Sequence, residues 1–189
     1  GLFMILLAST DLIMVGALGA LSIAAVSIFL QPRLILLCFS RSLASSVTLL
    51  VSKKAGAGDT AGSADIMKKS LTLCAIFMGL LHILFYIFLD DIFYLMGAND
   101  EYMAEAMAYG PIALASVYVT SLTLILQAVQ LGYGRTSVIM KTNVCGNVVN
   151  LALNALLIFG FGPIPSLGVT GAAIGTLAST LFTLTWTAW

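Results

Sequence analysis

VIMKTNVCGNVVNLALNALLIF, residues 138–159, runs for 22 residues with a single charge, at Lys141. As a helix rising 1.5 Å per residue it reaches about 33 Å, enough to cross the ~30 Å hydrocarbon core of a bilayer. The rest of the chain has the same character. Of its 189 residues 60% are hydrophobic and only 8% charged, the formal net charge is zero, and the mean hydropathy is +1.08. A soluble domain carries about 25% charged residues, and eight basic plus eight acidic side chains cannot clothe a surface of this size. The composition excludes a water-soluble globule, a disordered chain and a nucleic-acid binder, which would need a basic footprint. Cys38, Cys74 and Cys145 are too widely spaced for a disulfide framework or a zinc site and read as small apolar residues.

Further apolar runs of spanning character lie near 1–15, 23–50, 70–89, 108–131 and 168–189. Both ends fall inside such runs (GLFMILLAS, LASTLFTLTWTAW), so the first and last spans are expected to be cut short. The runs do not alternate in the ~10-residue segments of a β-barrel. The predicted fold is an all-α integral membrane bundle of six helices. Thirteen of the sixteen charges fall between the runs or, in the case of Lys141, at the cytoplasmic edge of one. Lys53, Lys54, Lys68, Lys69, Arg135 and Lys141 follow the second and fourth spans, whereas Asp90, Asp91, Asp100, Glu101 and Glu105 follow the third with no basic residue among them. Short basic loops mark the cytoplasmic side, which places the amino end and loops 51–69 and 132–141 in the cytoplasm. AGAGDTAGS (55–63) reads as a flexible turn region; it lacks the Lys-Ser/Thr ending and the strand–loop–helix setting of a phosphate-binding loop. GANDEYMAEAMAYGP (97–111) reads as an Asn/Asp cap opening a polar helical turn.

Asp11, Arg33 and Arg41 are the three charges within spans. An ionisable group there costs roughly 2.5–3.5 kcal/mol on insertion scales and is usually turned to a cavity or a partner. Arg41 has the reach to snorkel, and Arg33, beside Pro32, is equally suited to bonding carbonyls freed by a kink. Asp11 is too short to snorkel. The fifth span carries Asn143, Asn147, Asn150 and Asn154, spaced by four, three and four, all within ~60° of one another at 100° per residue. One asparagine reads as interhelical glue; four in one stripe read as the wall of a wet cavity. Counting from the span ends, Asn154 and Asn150 lie roughly 8 and 14 Å deep, Thr176 ~12 Å, and Asp11 about one turn. Equal depth permits a carboxylate–amide–hydroxyl network able to hold a proton or Na⁺. Gly171 and Gly175 form a small-residue face for close helix packing. Gln127, on an unusually polar fourth span, is a further cavity-lining candidate, whereas His82 reads as a buried, bonded histidine.

STDLIMVGALGALSIAAVS (9–27), KKAGAGD (53–59), LGYGRTSVIM (131–140) and above all NVVNLALNALLIFGFGPIPSLGVTGAAIGT (147–176) resemble the multidrug and toxin extrusion (MATE) family. The resemblance covers nearly the whole chain and corresponds to the first six of that family's twelve helices. It implies export of cationic and amphipathic compounds by proton or sodium antiport through two pseudo-symmetric lobes. Position by position, Asp11 matches the acidic residue of the first helix, Asn150 the asparagine of the fifth-helix motif, and Thr176 the threonine after Gly-Ala-Ala. Asn154 stands where some members carry aspartate, which leaves the coupling ion open between H⁺ and Na⁺.

The expected protein is therefore a plasma-membrane secondary transporter and not an enzyme, since no nucleophile–base pair or metal cluster stands at workable spacing. Asp11, Asn150, Asn154 and Thr176 would couple the cation, with Na⁺ near Asp11 as the alternative to a proton. Arg33, Arg41, Asn143, Asn147 and Gln127 would line the cavity. Beyond the coupling ion no cofactor is expected. The expected partners are lipid, a carboxy-terminal lobe and an amphipathic or cationic small molecule, with no nucleic acid. Two other readings are a lipid-linked oligosaccharide flippase, with Arg33 and Arg41 on phosphate, and a non-transporting scaffold whose asparagines only tie helices together.

Overall fold

The computed structural model describes residues 13–160 and 165–189. Seven helices lie wholly within the described residues: α1 (Ala20–Ile28), α2 (Leu30–Gly56), α3 (Thr60–Ile87), the short α4 (Leu89–Leu95), α5 (Asp100–Gly132), α6 (Thr136–Phe159) and α7 (Gly168–Ala188). Taking α1 and α2 as one span, five of the described segments are long and apolar enough to cross a membrane. The first expected span, 1–15, lies largely outside the described residues.

The helices outrun the apolar stretches that mark them. Lys53 and Lys54 stand on the last turn of α2, and Asp65, Lys68 and Lys69 on the first turns of α3, all expected in a loop. Hydropathy reports where lipid ends, but a helix satisfies its own backbone and continues into water. AGAGDTAGS is accordingly no flexible region. The turn is confined to residues 57–59, where Gly58 takes φ +72°, its N–H reaches Ala55 O at 3.0 Å and the Asp59 N–H reaches Lys54 O at 2.9 Å. That is a Schellman stop, which needs a residue comfortable at positive φ. Gly134 (φ +72°) ends α5 in the same way, with Arg135 N–H on Gln130 O at 2.9 Å. Asp59 then starts α3: its carboxylate accepts from Gly62 N–H at 2.7 Å and from Lys54 Nζ at 2.8 Å. Asn99 precedes α5 in extended conformation and makes no side-chain cap bond.

Pro32 has no N–H for the carbonyl of Ile28, and the chain breaks there, at Phe29 between α1 and α2. α5 is the centre of the bundle. It packs against α1, α2, α3, α4, α6 and α7, and α6 rests mainly on α7. Small residues at Ala106, Gly110, Ala113, Ser121 and Ala128 let its neighbours close in. At Gly110 a Cβ would meet Phe93 and Leu89 of α4, so that short helix lies directly on the α5 backbone. The core between α2, α3 and α5 is built from Leu36, Val47, Val51, Cys74, Met78, Val117 and Ile125. Polar links cross it: Ser40 Oγ donates to Ser121 Oγ at 2.7 Å, Thr48 Oγ1 to Ala128 O at 3.2 Å, and the Tyr118 hydroxyl to Ala75 O at 3.2 Å. Outward, Leu49, Ile76, Leu80 and Ile87 are exposed, as a lipid-facing surface requires.

Candidate functional site

A close approach of α6 and α7 builds the site. A Cβ at Gly171 would collide with the Leu157 carbonyl, one at Gly175 with Asn154 Oδ1, and one at Gly146 with Thr183 Oγ1. Three glycines thus bring two polar faces together. Leu167 N–H donates to Leu157 O at 2.9 Å and ties the start of α7 back onto α6. From α6, Asn147, Asn150 and Asn154 face a cavity of about 350 Å³; α7 supplies Thr176, Ser179 and Thr183 opposite them, and Tyr109 of α5 and Arg33 of α2 complete the wall.

The hydrogen bonds decide what this wall presents. Asn150 Nδ2 donates to Ser179 Oγ at 3.2 Å and to Thr176 Oγ1 at 3.4 Å, and Asn154 Nδ2 donates to Asn150 Oδ1 at 3.4 Å. Each hydroxyl spends its own proton on its helix: Thr176 Oγ1 on Ala172 O, Ser179 Oγ on Thr176 O and Thr183 Oγ1 on Ser179 O, all at 2.9 Å. A hydroxyl whose proton is engaged offers only lone pairs to other groups. The wall is therefore rich in acceptor oxygen, the ligand type of hard cations and of protonated groups. Asn154 is 1% exposed, so its amide is held between the helices and at the margin of the cavity at once. Among the described residues no group of three His, Cys, Asp or Glu could hold a metal ion.

The sequence-derived candidates separate into two places. Arg33, Asn147, Asn150, Asn154 and Thr176 share the cavity. Asn143 does not line it; its Oδ1 accepts from Gln127 Nε2 at 2.8 Å, a bridge from α6 to α5. Gln127 lines a second hollow of about 550 Å³ with Arg41, Thr48 and Ile139, toward the basic end. Asp11 lies outside the described residues. Among the described residues no hydrogen bond joins Arg33 to a carbonyl near Pro32, so the kink-mending role is not what the structure shows. His82 is buried, its Nδ1 2.6 Å from Met78 O and its ring edge-on to Tyr118 at 5.5 Å. Sequence reading missed Tyr109, Ser179 and Thr183. The last two were within reach, because Thr176, Ser179, Thr183 and Thr187 recur at helical spacing along α7.

The MatE family model matches residues 2–156. The probable multidrug resistance protein NorM of Rhizobium meliloti (strain 1021) is 29% identical over 92% of this chain and 37% of its own length. A protein of Shewanella oneidensis named FAD transporter is 29% identical over 92% of this chain and 38% of its length. Among solved structures, an inward-facing conformation of a multidrug resistance MATE family transporter superposes with a TM-score of 0.87, at 27% identity over 97% of this chain and 41% of that one. An outward-facing conformation of such a transporter superposes with a TM-score of 0.88, at 27% identity over 98% and 40%. The chain spans well under half the length of the curated relatives it matches, as one lobe of a two-lobe transporter would. The family match over most of the chain and the shared helical lobe agree, and the chain belongs to the MatE family of membrane transporters.

Proposed function

We propose that this chain is one lobe of a secondary active transporter that exports an amphipathic small molecule across the plasma membrane in exchange for H⁺ or Na⁺. The basic end, with Lys53, Lys54, Lys68, Lys69 and Arg135, faces the cytoplasm. The observation that carries this reading is the oxygen-lined cavity of Asn150, Asn154, Thr176 and Ser179 beside a glycine-packed helix pair. Asp11, which the sequence puts at comparable depth, supplies the carboxylate. Its protonation, or Na⁺ taken up by the same oxygens, changes the preferred packing of the first span against α6 and α7. A ligand shifts such an equilibrium only through its different affinity for the two states, and removing a charge from a polar pocket supplies that difference.

The near-equal likeness to inward-facing and outward-facing structures supports alternating access by rocking of a lobe that keeps its shape. One relative is named for multidrug resistance and another for FAD, so the cargo class is best read from the cleft. The test uses the full-length protein in cells lacking their own efflux pumps, with ethidium and carboxyfluorescein as probe dyes. Expected is lowered accumulation of at least one dye, abolished by Asp11→Asn at matched expression and by collapsing the H⁺ and Na⁺ gradients. Export that survives collapse of both gradients would sink the coupling mechanism.

A further inference from the structure

Arg33 and Arg41 are the only two basic residues in the middle of a span, and both sit on α2, eight residues and about 12 Å of rise apart. Both are exposed rather than packed. Arg33 lines the asparagine cavity and Arg41 the second hollow, two separate cavities each walled in part by α2, α5 and α6; the cargo cleft inferred below runs from one to the other. Neither makes an ion pair or a hydrogen bond among the described residues, where the two ion pairs are Lys54–Asp59 and Lys69–Asp65. Glu105, one turn along α5 from cavity-lining Tyr109, accepts instead from Ser22 Oγ at 2.8 Å.

An intramembrane guanidinium is normally paired or turned to a water-filled path, and here two forks of donors face the cleft with no described residue to receive them. Their chemistry fits carboxylate or phosphate, which accept both arms of an arginine. We propose that the cargo of this transporter is an anionic-headed amphiphile whose carboxylate or phosphate passes between Arg33 and Arg41, while the apolar body rests on the exposed α2 side chains Leu30 and Leu34. This rests on the transporter reading above and replaces the cationic cargo that the family resemblance implies. A cation entering the cleft would meet two positive charges that no described residue pairs with. An anion crossing it would be handed along α2 from one guanidinium to the other, weakly enough at each to leave.

The test is binding of carboxyfluorescein to the full-length protein in neutral detergent, read by fluorescence anisotropy, with export followed separately. Expected is saturable binding that weakens about tenfold or more in Arg33→Gln and in Arg41→Gln, and less in the lysine variants, which keep the charge but lose the fork. Pyrophosphate should displace the dye if the cargo is a soluble anion, and phosphatidylglycerol mixed into the micelle should displace it if the cargo is a lipid headgroup. Displacement by neither, or equal binding by wild type and both glutamine variants, overturns the inference and makes the arginines partners of another part of the protein. Gradient-driven export of ethidium without carboxyfluorescein binding would overturn the anionic cargo alone and leave the exporter standing. Binding without gradient-driven export of either dye would do the reverse.

Discussion

Gly171 and Gly175 differ in what a methyl group would strike, and the difference separates packing from coupling. At Gly171 the obstacle is the backbone carbonyl of Leu157, which cannot step aside without moving α6. At Gly175 it is the end of the Asn154 side chain. Gly171→Ala is therefore expected to cost on the order of 1–3 kcal/mol as overpacking, seen as a lower midpoint in thermal unfolding of the detergent-solubilised full-length protein. Gly175→Ala should unfold closer to wild type yet lose cation-dependent export, because it pushes Asn154 off Asn150. Equal melting losses with export intact in both would show the asparagine network to be glue. The asparagine positions were legible because a 3.6-residue period leaves a visible stripe. The partition within the stripe was not: Asn143 pairs with Gln127 and leaves the other three to the cavity, a matter of which neighbour stands opposite. Ser179 and Thr183 of α7 were overlooked because threonine and serine so often bond their own helix. These do, and in doing so turn their oxygens outward.

At the scale of elements, three helices stop at a glycine of positive φ, Gly58, Gly97 and Gly134, and restart within three residues. Nothing lies within 4 Å of a Cβ built on Gly134, so Gly134→Ala isolates the backbone cost of its conformation. About 1–2 kcal/mol of destabilisation is expected, with a smaller loss for Gly134→Asn; an alanine variant as stable as wild type would mean that α5 does not end in this motif. The restart at Asp59 carries a pH signature. The hydrogen bond from Lys54 Nζ, then that from Gly62 N–H, holds the Asp59 carboxyl below its ordinary pKa of 3.8. A group whose pKa falls on folding supports the fold above its unfolded value and ceases to as pH drops through the folded one. Protection of the Gly62 amide, its exchange rate measured against the intrinsic one, should therefore hold at neutral pH and fall only in acid below the ordinary carboxylate range; the same protection in Asp59→Ala at neutral pH would remove the cap from the account. Element ends escaped the sequence reading for a physical reason. Apolar runs mark the length in lipid, whereas Gly58 and Asp59 mark the length of helix, and the two need not coincide. Pro32 was read as a kink within one span; the helix instead breaks at Phe29, one turn earlier, because the lost donor belongs to the carbonyl of Ile28.

For the whole molecule, the question is whether the lobe moves as one piece. Its centre argues that it does. α5 touches α1, α2, α3, α4, α6 and α7, so displacing any of these against it would unpack several interfaces at once, and close-packed interiors resist gradual sliding. The buried Ser40–Ser121 hydrogen bond sits on the α2–α5 interface, where a change of packing within the lobe would have to show. With Cys38, Cys74 and Cys145 replaced by alanine, Ser40→Cys and Ser121→Cys place two thiols there for bridging by mercuric ion or iodine. If the lobe rocks as a body, the bridged full-length transporter should export its dye at nearly the unbridged rate, and reversal with a reducing thiol should change little. If bridging halts export and reduction restores it, α2 must shear along α5 in the cycle. The apparent handing of an anion from Arg33 to Arg41 would then be carried by movement of α2 itself, because both arginines ride on that helix.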